Sequence, residues 1–590
     1  MDGPTIHFDE HLNVAITMAE HARRHANLRA VWAPDGTFTF AELSRRAEEL
    51  ANRLASFGVK PETPVGVHLG RSRHLVTSLF AVWRVGGVFV PLDPAHPTGR
   101  LAAIARDAGV GVLVAESDSP LVAELGVRVV DPRTDFPSSA GGMPQRPAAL
   151  PGSLAYIMYT SGTTGEPKGV GVTYGNVANL LAAVAELVPE EGMEGVNVLA
   201  PGFDGWLWST LIPLAGGRGL VLADPREGVD DLFTKSLGVV TATPSLLATL
   251  KVPEPDAGPS TVIAAGEACP PELAKHWSSG RRFLNAYGPT ETTICATWAD
   301  TTVDDDPVTI GRPVANYRVH VLDPALREVA DGESGELFIA GAGVGRGYHG
   351  RPGLTASRFL PEPSGNGGRM YRTGDLVRRR SDGCLEFIGR IDQQLKIRGF
   401  RVEPAEVVRA AEAVPGVDAA STFTIPGGDV LMLGLAVVGT AVSAGADEPL
   451  GEAVRAHLAA VLPDYMVPTR IVCVDALPLT PAGKVDERAL VELCQAHGAQ
   501  DDASGTAPAT DSEVLVAEVW STVLERPVNS VEANFFELGG HSLRATRAIS
   551  TLRAGTGLRL TMRHLFAQPT VAAFARQIDQ LAEAKRAAGA

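Results

Sequence analysis

The sequence predicts a multidomain α/β protein, and three features of the chain support this prediction. Its 590 residues are enough for several domains of roughly 150 residues each. Strand-like apolar runs alternate with helical patterns through the first two-thirds of the chain, which is typical of sheets covered by helices. Near the C-terminal end, a segment without large apolar residues precedes three helical patterns, which indicates a small helical bundle on a flexible linker.

The first two-thirds of the chain carry the clearest alternation of strands and helices. Residues 63–69 ("TPVGVHL") and 88–93 ("VFVPLD") are typical of buried strands, and "RHLVTSLFAVWRVG" between them predicts a helix. From about Gly311 the pattern changes to strands and glycine turns, including "YRVHVLD" and "GELFIAG". After Asp392 a smaller α/β pattern begins, with "VEPAEVVRAAEAV" as an amphipathic helix.

Four segments follow from these patterns. We expect a large α/β subdomain over residues 1–391, a small α/β subdomain over 392–497, a linker over 498–511 and an all-α four-helix bundle over 512–585. The linker prediction depends on "AHGAQDDASGTAPATDS", residues 496–512, which has nothing large to bury. The bundle prediction depends on "EVLVAEVWSTVL", "HSLRATRAISTLRA" and "TVAAFARQIDQLAEAKR".

Composition and charge exclude several classes of protein. The net charge of −16 argues against a general nucleic-acid binder, which needs a basic face. The five cysteines form no C-x-x-C pair, which fits a reducing compartment without structural zinc or a disulfide framework. The N-terminus lacks the pattern of a signal peptide, and the longest apolar run, residues 430–444, is interrupted by glycines and short for a membrane span. We therefore expect a cytoplasmic protein without membrane contact.

One motif is misleading. Residues 345–350 match G-x-G-x-x-G and follow a strand-like run, as in dinucleotide-binding folds. Such a site needs a helix that starts at the motif, whereas Pro352 and a further glycine follow here. The match does not predict a dinucleotide site.

The stretch "YTSGTTGEPKGV", residues 159–170, is the first candidate binding element. It combines three glycines, four Ser or Thr residues and one lysine after a short apolar run. Exposed backbone amides, hydroxyls and an ammonium group suit the oxygens of a phosphate. The stretch does not match the G-x-x-x-x-G-K-[ST] pattern, and on its own it also fits a Ser/Gly-rich linker.

Four further blocks decide between these interpretations. They are "NAYGPTETT" (residues 285–293), "YRTGDL" (371–376), "GRIDQQLKIRGFRVEPAEV" (389–407) and "LPLTPAGKVDERAL" (477–490). In this order and spacing, the blocks resemble the adenylation domains of nonribosomal peptide synthetases, within the adenylate-forming superfamily. The resemblance covers about residues 10 to 495. Several long motifs in the same order are far more specific than any one of them.

The resemblance implies that ATP activates a carboxylate, giving an acyl-adenylate and pyrophosphate. Charge develops on phosphoryl oxygens in this reaction, so catalysis is mostly positioning and neutralisation. By resemblance, the β- and γ-phosphates are held by Thr160, Ser161, Gly162, Thr163, Thr164, Gly165 and Lys168. The alternative for Lys168 is an ordinary solvated loop lysine.

The resemblance also assigns the nucleotide and metal contacts. Tyr287 stacks on adenine with Asn285 near its exocyclic amine, and Glu291 holds Mg²⁺ as a single hard carboxylate. Asp375 accepts the ribose hydroxyls, although a capping role after Gly374 is an alternative. Phe387 stands near the nucleotide where relatives often carry a tyrosine, so a hydroxyl contact is lost there.

Three residues are assigned to the two half-reactions. Lys484 lies in a Pro-Ala-Gly-Lys turn and, by resemblance, contacts both the carboxylate and the α-phosphate during adenylation, which raises their effective proximity. Asp392 matches the hinge about which the small subdomain rotates. Lys396 lies in the segment that faces the active site after rotation.

The C-terminal bundle carries "NFFELGGHSLRATR". This block resembles the carrier (thiolation) domain, in which the serine, here Ser542, receives 4′-phosphopantetheine. A helix-capping serine is the alternative, and the two interpretations agree physically because a phosphodiester suits a helix N-terminus. The preceding "VEAN" departs from the usual acidic pair before the asparagine, which bears on partner recognition rather than on attachment.

The substrate pocket also follows from the resemblance. Asp204 matches the position that binds the α-ammonium group of an α-amino acid, and the carboxylate contact falls to Lys484. The other lining positions are Gly205, Trp208, Thr241, Ile263, Ala265, Ala286, Ile294 and Cys295. The small residues leave volume and the apolar ones supply walls, which suits an aromatic side chain. We expect phenylalanine or a substituted analogue as the preferred substrate, then tryptophan, then tyrosine.

These assignments predict an adenylation–carrier didomain that forms an aminoacyl-adenylate and loads its own carrier. Expected partners are a phosphopantetheinyl transferase and a downstream condensation or tailoring enzyme, with no nucleic acid. Residues 351–359 ("RPGLTASRF") lie where a small MbtH-like accessory protein docks in relatives, and the sequence leaves the need for one open. Two alternatives are an acyl- or aryl-CoA ligase, which the carrier block disfavours, and a catalytically silent carrier scaffold, which intact Lys168, Glu291, Asp375 and Lys484 disfavour.

Overall fold

The computed structural model describes the whole chain except a set of short segments. These are residues 13, 135–149, 163–164, 226–228, 230–236, 255–256, 303–307, 364–366, 393, 398, 428–429, 440–449, 481–484, 502–505, 537, 541, 559, 561–563, 566–567 and 590. Thr163, Thr164 and Lys484, which the resemblance assigns to the active site, therefore lie outside the described residues.

A seven-stranded sheet forms one layer of the large subdomain. In spatial order its strands are Gly347–Tyr348, Lys168–Thr173, Leu154–Thr160, Val88–Pro91, Pro64–His68, Val112–Ala115 and Arg128–Val130. Thr160 and Lys168 lie opposite each other on antiparallel neighbours. The candidate phosphate loop therefore connects two adjacent strand ends.

A nine-stranded sheet forms the second layer of the large subdomain. In spatial order its strands are Arg312–Pro313, Thr297–Thr301, Arg282–Tyr287, Pro259–Ala265, Leu237–Ala242, Gly195–Asn197, Leu220–Leu222, Arg29–Ala33 and Gly36–Thr39. The strands from Leu237, Pro259 and Arg282 run parallel, so their carboxyl ends meet at one edge.

A five-stranded antiparallel sheet completes the large subdomain. Its strands are Tyr317–Leu322, Ser334–Gly341, Arg369–Arg379, Phe359–Pro361 and Leu385–Arg390, the last pairing with Arg369–Arg379. Asp375 lies on the central strand of this sheet.

Helices cover the two large sheets. In the described part of the large subdomain they are Val14–Arg24, Phe40–Ser56, Arg73–Arg84, Thr98–Asp107, Pro120–Leu125, Tyr174–Ala183, Asp204–Ala215, Pro244–Leu247, Pro271–Trp277 and Pro352–Arg358, with 3₁₀ turns at Ala185–Leu187 and Thr290–Thr292. One hydrophobic core contains Phe89 of the seven-stranded sheet and Leu220 of the nine-stranded sheet together with residues of Arg73–Arg84. That helix is buried along its middle because its side chains pack with residues of both sheets.

The small subdomain consists of a hairpin, a sheet and helices. The hairpin strands are Leu395–Ile397 and Phe400–Val402, and the three-stranded sheet contains Val417–Gly427, Val430–Gly439 and Arg470–Val474. The helices are Pro404–Glu412, Leu450–Val461 and Glu487–Asp501, with a 3₁₀ turn at Asp464–Met466. We call the first pair of strands, residues 395–402, the insertion hairpin.

The carrier region forms its own helical core. Its helices among the described residues are Asp511–Leu524, Ser542–Thr556 and Val571–Gly589. Thr510 begins the first of them with a capping box that includes Glu513. The Trp520 ring lies 5.0 Å from that of Phe535 and 6.2 Å from that of Phe574 (centroid distances), within a separate cluster of buried residues.

The α/β fold class is confirmed, and the strands and helices named from the sequence form close to their predicted positions. The linker prediction needs correction at both ends, because Asp511 begins the helix Asp511–Leu524 and residues 498–501 continue the helix Glu487–Asp501. Buried Leu490 and Cys494 anchor this helix on the small subdomain, and the Ala and Gln residues that follow favour its continuation. The remaining segment boundaries stay predictions.

The described residues contain no helix long and apolar enough to cross a membrane. The five cysteines are free thiols. The segment with the G-x-G-x-x-G match forms a short strand at Gly347–Tyr348 instead of opening a dinucleotide-binding helix.

Candidate active site

The candidate phosphate loop is shaped by its glycines. Gly165 has φ +77° and its amide donates to the Gly162 carbonyl at 2.8 Å. A Cβ at Gly162 would lie 2.0 Å from the Glu166 carbonyl oxygen, so only glycine fits this turn. The buried Thr160 Oγ1 has no hydrogen-bond partner, which leaves a hydroxyl at the start of the loop for a ligand oxygen.

Lys168 and Glu291 meet beside this loop. Lys168 Nζ lies 3.9 Å from Glu291 Oε1 and 4.9 Å from the centroid of the Tyr348 ring. The Tyr348 hydroxyl donates to Glu291 Oε1 at 2.8 Å, and the Glu291 side chain is fully buried. The structure therefore brings together two residues that the sequence placed in one site.

Buried charges shift the pKa values of both groups. Burial alone would raise the pKa of Glu291, but Arg401, Lys168 and the hydrogen bond from Tyr348 lower it to about 2. Burial lowers the pKa of Lys168 to about 8, with Arg401 adding to the shift and Glu291 opposing it. Glu291 is therefore an ionised carboxylate at neutral pH.

The predicted nucleotide residues lie on two strands: Asn285 and Tyr287 near and at the end of Arg282–Tyr287, and Asp375 within Arg369–Arg379. The Tyr287 hydroxyl donates to Asp375 Oδ2, and Arg390 donates to Asp375 Oδ1 at 2.6 Å. Arg390 also makes two bonds to the predicted hinge residue Asp392, at 2.6 and 2.7 Å. Asn285 Nδ2 donates to the Thr309 carbonyl at 2.8 Å, which fixes the orientation of its amide.

The insertion hairpin reaches into this site. Lys396 Nζ lies 5.5 Å from the Tyr287 ring centroid and 5.9 Å from that of Phe387. Burial lowers the pKa of Lys396, with Asp375 opposing the shift. Gly399, at φ +81°, lies so close to the large subdomain that a Cβ would be 2.3 Å from Thr243 Cγ2.

A second set of contacts joins the two subdomains. Arg100 of the large subdomain forms a buried ion pair with Glu406 of the small one. The Phe400 ring stacks on Tyr465 with centroids 4.0 Å apart, and Phe203 of the large subdomain packs edge-on against Phe400 at 4.5 Å. These contacts hold the hairpin against the site.

The predicted side-chain pocket lies on one face of the nine-stranded sheet. Thr241 lies opposite Ile263, and Ala265 lies opposite Ala286, on parallel neighbouring strands. One hydrophobic cluster includes Trp208, Ile263, Ala265, Ala286, Ile294 and Cys295. The structure therefore brings most of the predicted pocket together.

Asp204 stands at the start of the helix Asp204–Ala215, beside Gly205. Its buried Oδ2 has no hydrogen-bond partner. Burial raises the pKa of Asp204 to about 6. An unpaired buried carboxylate oxygen suits a ligand cation.

Two cavities meet at the insertion hairpin. The inner one, about 140 Å³, is lined by Asp204, Tyr287 and Asp375 among others. The outer one, about 690 Å³, is lined by Phe387, Glu267 and Leu431 among others. Both are also lined by Arg390, Gln394 and Lys396, so the two spaces share a boundary. Phe387 thus borders the outer cavity rather than the inner one.

The carrier region contacts the small subdomain. A Cβ placed on Gly539 would lie 3.9 Å from Met432 Cε, on the opposite face of the strand Val430–Gly439 from the cavity-lining Leu431. Ser542 is the first residue of the helix Ser542–Thr556. A phosphodiester at this position would face the free amides of a helix N-terminus.

Several site residues were not singled out from the sequence. Arg390 and Arg401 lie within the quoted block 389–407, where their charge was the available signal. Tyr348 lies inside the misleading glycine motif. Glu267, whose carboxylate accepts from the Ser245 amide and hydroxyl at 2.8 Å each, gave no sequence signal.

Three family models match the chain. They are the AMP-binding enzyme (residues 18–349), the AMP-binding enzyme C-terminal domain (410–484) and the phosphopantetheine attachment site (514–578). These families imply ATP, Mg²⁺ and a covalent 4′-phosphopantetheine group.

The residues present fit these groups. Glu291 offers one ionised carboxylate, and Mg²⁺ typically takes one or two carboxylates plus phosphate oxygens. When bound, the ion neutralises phosphate charge. Among the described residues no group of three or more His, Cys, Asp or Glu could hold a metal, so the remaining ligands would come from substrate and water.

Curated relatives include longer proteins. The chain is 39% identical to phosphinothricin tripeptide synthetase PhsC of Streptomyces viridochromogenes over 95% of this chain but 52% of that protein. It therefore spans about half the length of this relative. It is 37% identical to novobiocin biosynthesis protein H of Streptomyces niveus, over 91% of each chain.

A solved structure shares the whole architecture. Holo-PA1221, a nonribosomal peptide synthetase protein with adenylation and PCP domains bound to a vinylsulfonamide inhibitor, superposes with a TM-score of 0.80 at 26% identity over 98% of each chain. From the matched models, the relatives and this architecture, the chain belongs to the AMP-binding, adenylate-forming enzyme family and carries the phosphopantetheine attachment domain of nonribosomal peptide synthetases.

Proposed function

We propose that the chain activates an amino acid with ATP as an aminoacyl-adenylate and loads it onto the carrier domain of the same chain, at Ser542. The observation that carries this proposal is the shared boundary of the two cavities at Arg390, Gln394 and Lys396. The inner cavity contains the candidate adenylate residues, and the outer one reaches Leu431 of the small subdomain, which the carrier region contacts at Met432.

Three features support loading in cis. Gly539, shortly before Ser542, lies against the small subdomain at Met432. The outer cavity extends from neighbouring Leu431 to Lys396, which also borders the inner cavity. The 4′-phosphopantetheine group, when attached, supplies the thiol that accepts the acyl group. A dedicated carrier in the same chain favours this function over transfer to free coenzyme A.

The substrate is an α-amino acid with an aromatic side chain, phenylalanine or a substituted analogue first. Asp204 Oδ2 is buried and unpaired, which suits an α-ammonium group. The clustered pocket residues are apolar or small apart from Trp208 Nε1 and the Cys295 thiol, and none is charged. A charged substrate side chain would therefore lose its hydration without a partner.

The partners are a phosphopantetheinyl transferase and a downstream condensation or tailoring enzyme that takes the loaded amino acid. A small MbtH-like protein is a further partner for the surface around Pro352–Arg358, a helix without a buried residue. Copurification and exchange activity with and without such a protein test this part.

Pyrophosphate exchange with each amino acid in turn tests the substrate. We expect the strongest exchange with phenylalanine or a ring- or β-substituted analogue, then tryptophan, then tyrosine. Strong exchange with a small or charged amino acid, and none with any aromatic one, would contradict the pocket assignment. No exchange with any acid would favour the silent scaffold.

A further inference from the structure

The carboxylate of Glu291, assigned to Mg²⁺, already has a protein cation. Arg401 Nη1 lies 3.0 Å from Glu291 Oε1 and 3.2 Å from Oε2, so one nitrogen contacts both oxygens. Tyr348 and Lys168 approach Oε1 as well. Mg²⁺ needs ligand oxygens at about 2.0–2.1 Å in octahedral geometry. The docked guanidinium occupies the position between the two oxygens, with Tyr348 and Lys168 beside Oε1, so it competes with the ion for this carboxylate.

Arg401 comes from the insertion hairpin of the small subdomain, 110 residues along the chain from Glu291. The same residue contacts the phosphate loop, since its carbonyl accepts a bond of 2.7 Å from Ser161 Oγ. Arg409 follows on the adjacent helix and lies beside Gly165, with Nε 2.9 Å from a Cβ placed there. The small subdomain therefore covers the loop and the metal carboxylate together.

Electrostatics requires a cation in either state. Glu291 is fully buried, and an uncompensated buried charge is strongly unfavourable. Lys168 is 3.9 Å away, farther than either Arg401 contact, so it compensates the charge only in part. Removing Mg²⁺ with pyrophosphate would leave the carboxylate short of a partner unless Arg401 arrived.

We propose that Arg401 and Mg²⁺ are alternative partners of Glu291, so that departure of magnesium pyrophosphate permits the insertion hairpin to dock. The inference rests on the proposed function, because it needs a half-reaction that releases pyrophosphate. By reciprocity, bound metal pyrophosphate disfavours the docked hairpin to the same extent that docking disfavours the metal. Arg401 is thus a positioning residue for the second half-reaction.

Binding of Mn²⁺ with pyrophosphate, without amino acid, tests the exclusion. Free Mn²⁺ is measured by electron paramagnetic resonance for the wild type, Arg401→Ala and Arg401→Lys. We expect Arg401→Ala to bind the complex at least about fivefold more tightly, because the competing cation is gone. The affinity of Arg401→Lys for the complex should lie between those of the wild type and Arg401→Ala. The control Arg488→Ala changes an exposed arginine of the same subdomain and should match the wild type.

A distance measurement distinguishes competition from a general loss of structure. Spin labels on Cys384 of the large subdomain and exposed Cys473 of the small one report docking. Magnesium pyrophosphate, without Mn²⁺, should lengthen or broaden the distribution of distances between the two labels in the wild type. The same addition should change the distribution much less in Arg401→Ala. If Arg401→Ala fails to fold, as judged by thermal unfolding, Arg401→Lys provides the comparison.

Equal or weaker Mn²⁺ pyrophosphate binding by the folded Arg401 variants would overturn the inference while leaving the proposed function intact. A distance distribution that ignores pyrophosphate in the wild type would also overturn it. Because the assay contains no amino acid, a wrong substrate assignment would leave its result unchanged.

Discussion

At the scale of single residues, Asp204 carries the buried carboxylate oxygen that our proposal pairs with the ammonium group of the substrate. Its Oδ2 is buried without a partner, and burial raises its pKa to about 6. The group is therefore charged above that pH and neutral below it. An amino acid that brings an ammonium group stabilises the charged form.

This geometry predicts a pH dependence. We expect kcat/KM for the amino acid in the exchange reaction to fall as pH drops through about 6, because protonated Asp204 loses its attraction for the ammonium group. Asp204→Asn should lower kcat/KM by at least about 30-fold at pH 8, equivalent to about 2 kcal/mol, and lose this acid limb. The exposed Asp300→Asn should keep the wild-type profile. An unchanged acid limb in Asp204→Asn would assign it to another group.

Gly205 gives a second prediction at this scale. A Cβ at residue 205 would lie 3.0 Å from Leu199 Cδ1, the end of a flexible side chain that can move aside. Gly205→Ala should therefore fold and narrow the pocket. We expect preference to shift toward unsubstituted phenylalanine over ring-substituted analogues by about 10-fold, since one methyl group is worth about 1–3 kcal/mol. Competition between the two substrates in the exchange assay measures the shift, and a shift toward larger substrates would contradict the assignment.

At the scale of elements, the insertion hairpin is held by contacts that bridge the subdomains. Arg100 pairs with Glu406, and burial raises the pKa of Glu406 while Arg100 lowers it. Phe203 of the large subdomain packs edge-on against Phe400 of the hairpin at 4.5 Å. Both contacts need the docked hairpin, so in the proposed function they bear on aminoacyl transfer.

Breaking the ion pair should therefore separate the half-reactions. Arg100→Ala leaves a buried carboxylate unpaired, which costs about 3–5 kcal/mol in comparable cases. We expect transfer of the aminoacyl group to the carrier to slow at least about 10-fold, with pyrophosphate exchange within about twofold of wild type.

Arg106→Ala is the matched control for this test. Arg106 lies on the same helix and forms an exposed pair with Glu124, so both half-reactions should stay near wild type. Single-turnover loading and exchange assays measure the two steps. Equal loss of both steps in Arg100→Ala would show that the pair supports the whole fold instead of the docked hairpin.

At the scale of the whole molecule, the carrier region contacts the small subdomain of the adenylation region. Ser542 begins a carrier helix, and nearby Gly539 lies against Met432 of the small subdomain. A tethered carrier has a high effective concentration at the site. Loading in cis should therefore be independent of protein concentration.

Two variants test this arrangement together. Ser542→Ala should retain pyrophosphate exchange, gain no pantetheine mass after treatment with a transferase and coenzyme A, and load nothing. Lys484→Ala should lose most adenylate formation but still load from a synthetic aminoacyl-adenylate. A mixture of the Ser542→Ala and Lys484→Ala proteins should load the carrier only slowly, at a rate that rises with protein concentration. A pantetheine increment on Ser542→Ala, seen by intact mass, would refute the attachment site.

The sequence by itself determined the local elements and the family. The glycines and hydroxyls of residues 160–165 predict a loop that binds phosphate, and the order of five motif blocks identifies an adenylate-forming protein. Registers of the nine-stranded sheet then placed Thr241, Ile263, Ala265 and Ala286 on one face, as the resemblance implied. Such features depend on residues close in sequence or on patterns that the family shares.

Only the tertiary structure decided which charges meet. Arg401 and Glu291 are 110 residues apart and Arg100 and Glu406 are 306 apart, so neither pair leaves a local pattern in the chain. Both depend on how the small subdomain docks on the large one. The helix that continues through residue 501 is a similar case, because buried Leu490 and Cys494 anchor it on a sheet formed elsewhere in the chain. The free energy of burying a charge or an apolar side chain depends on its neighbours. In these cases the neighbours are distant in sequence and meet only in the folded chain.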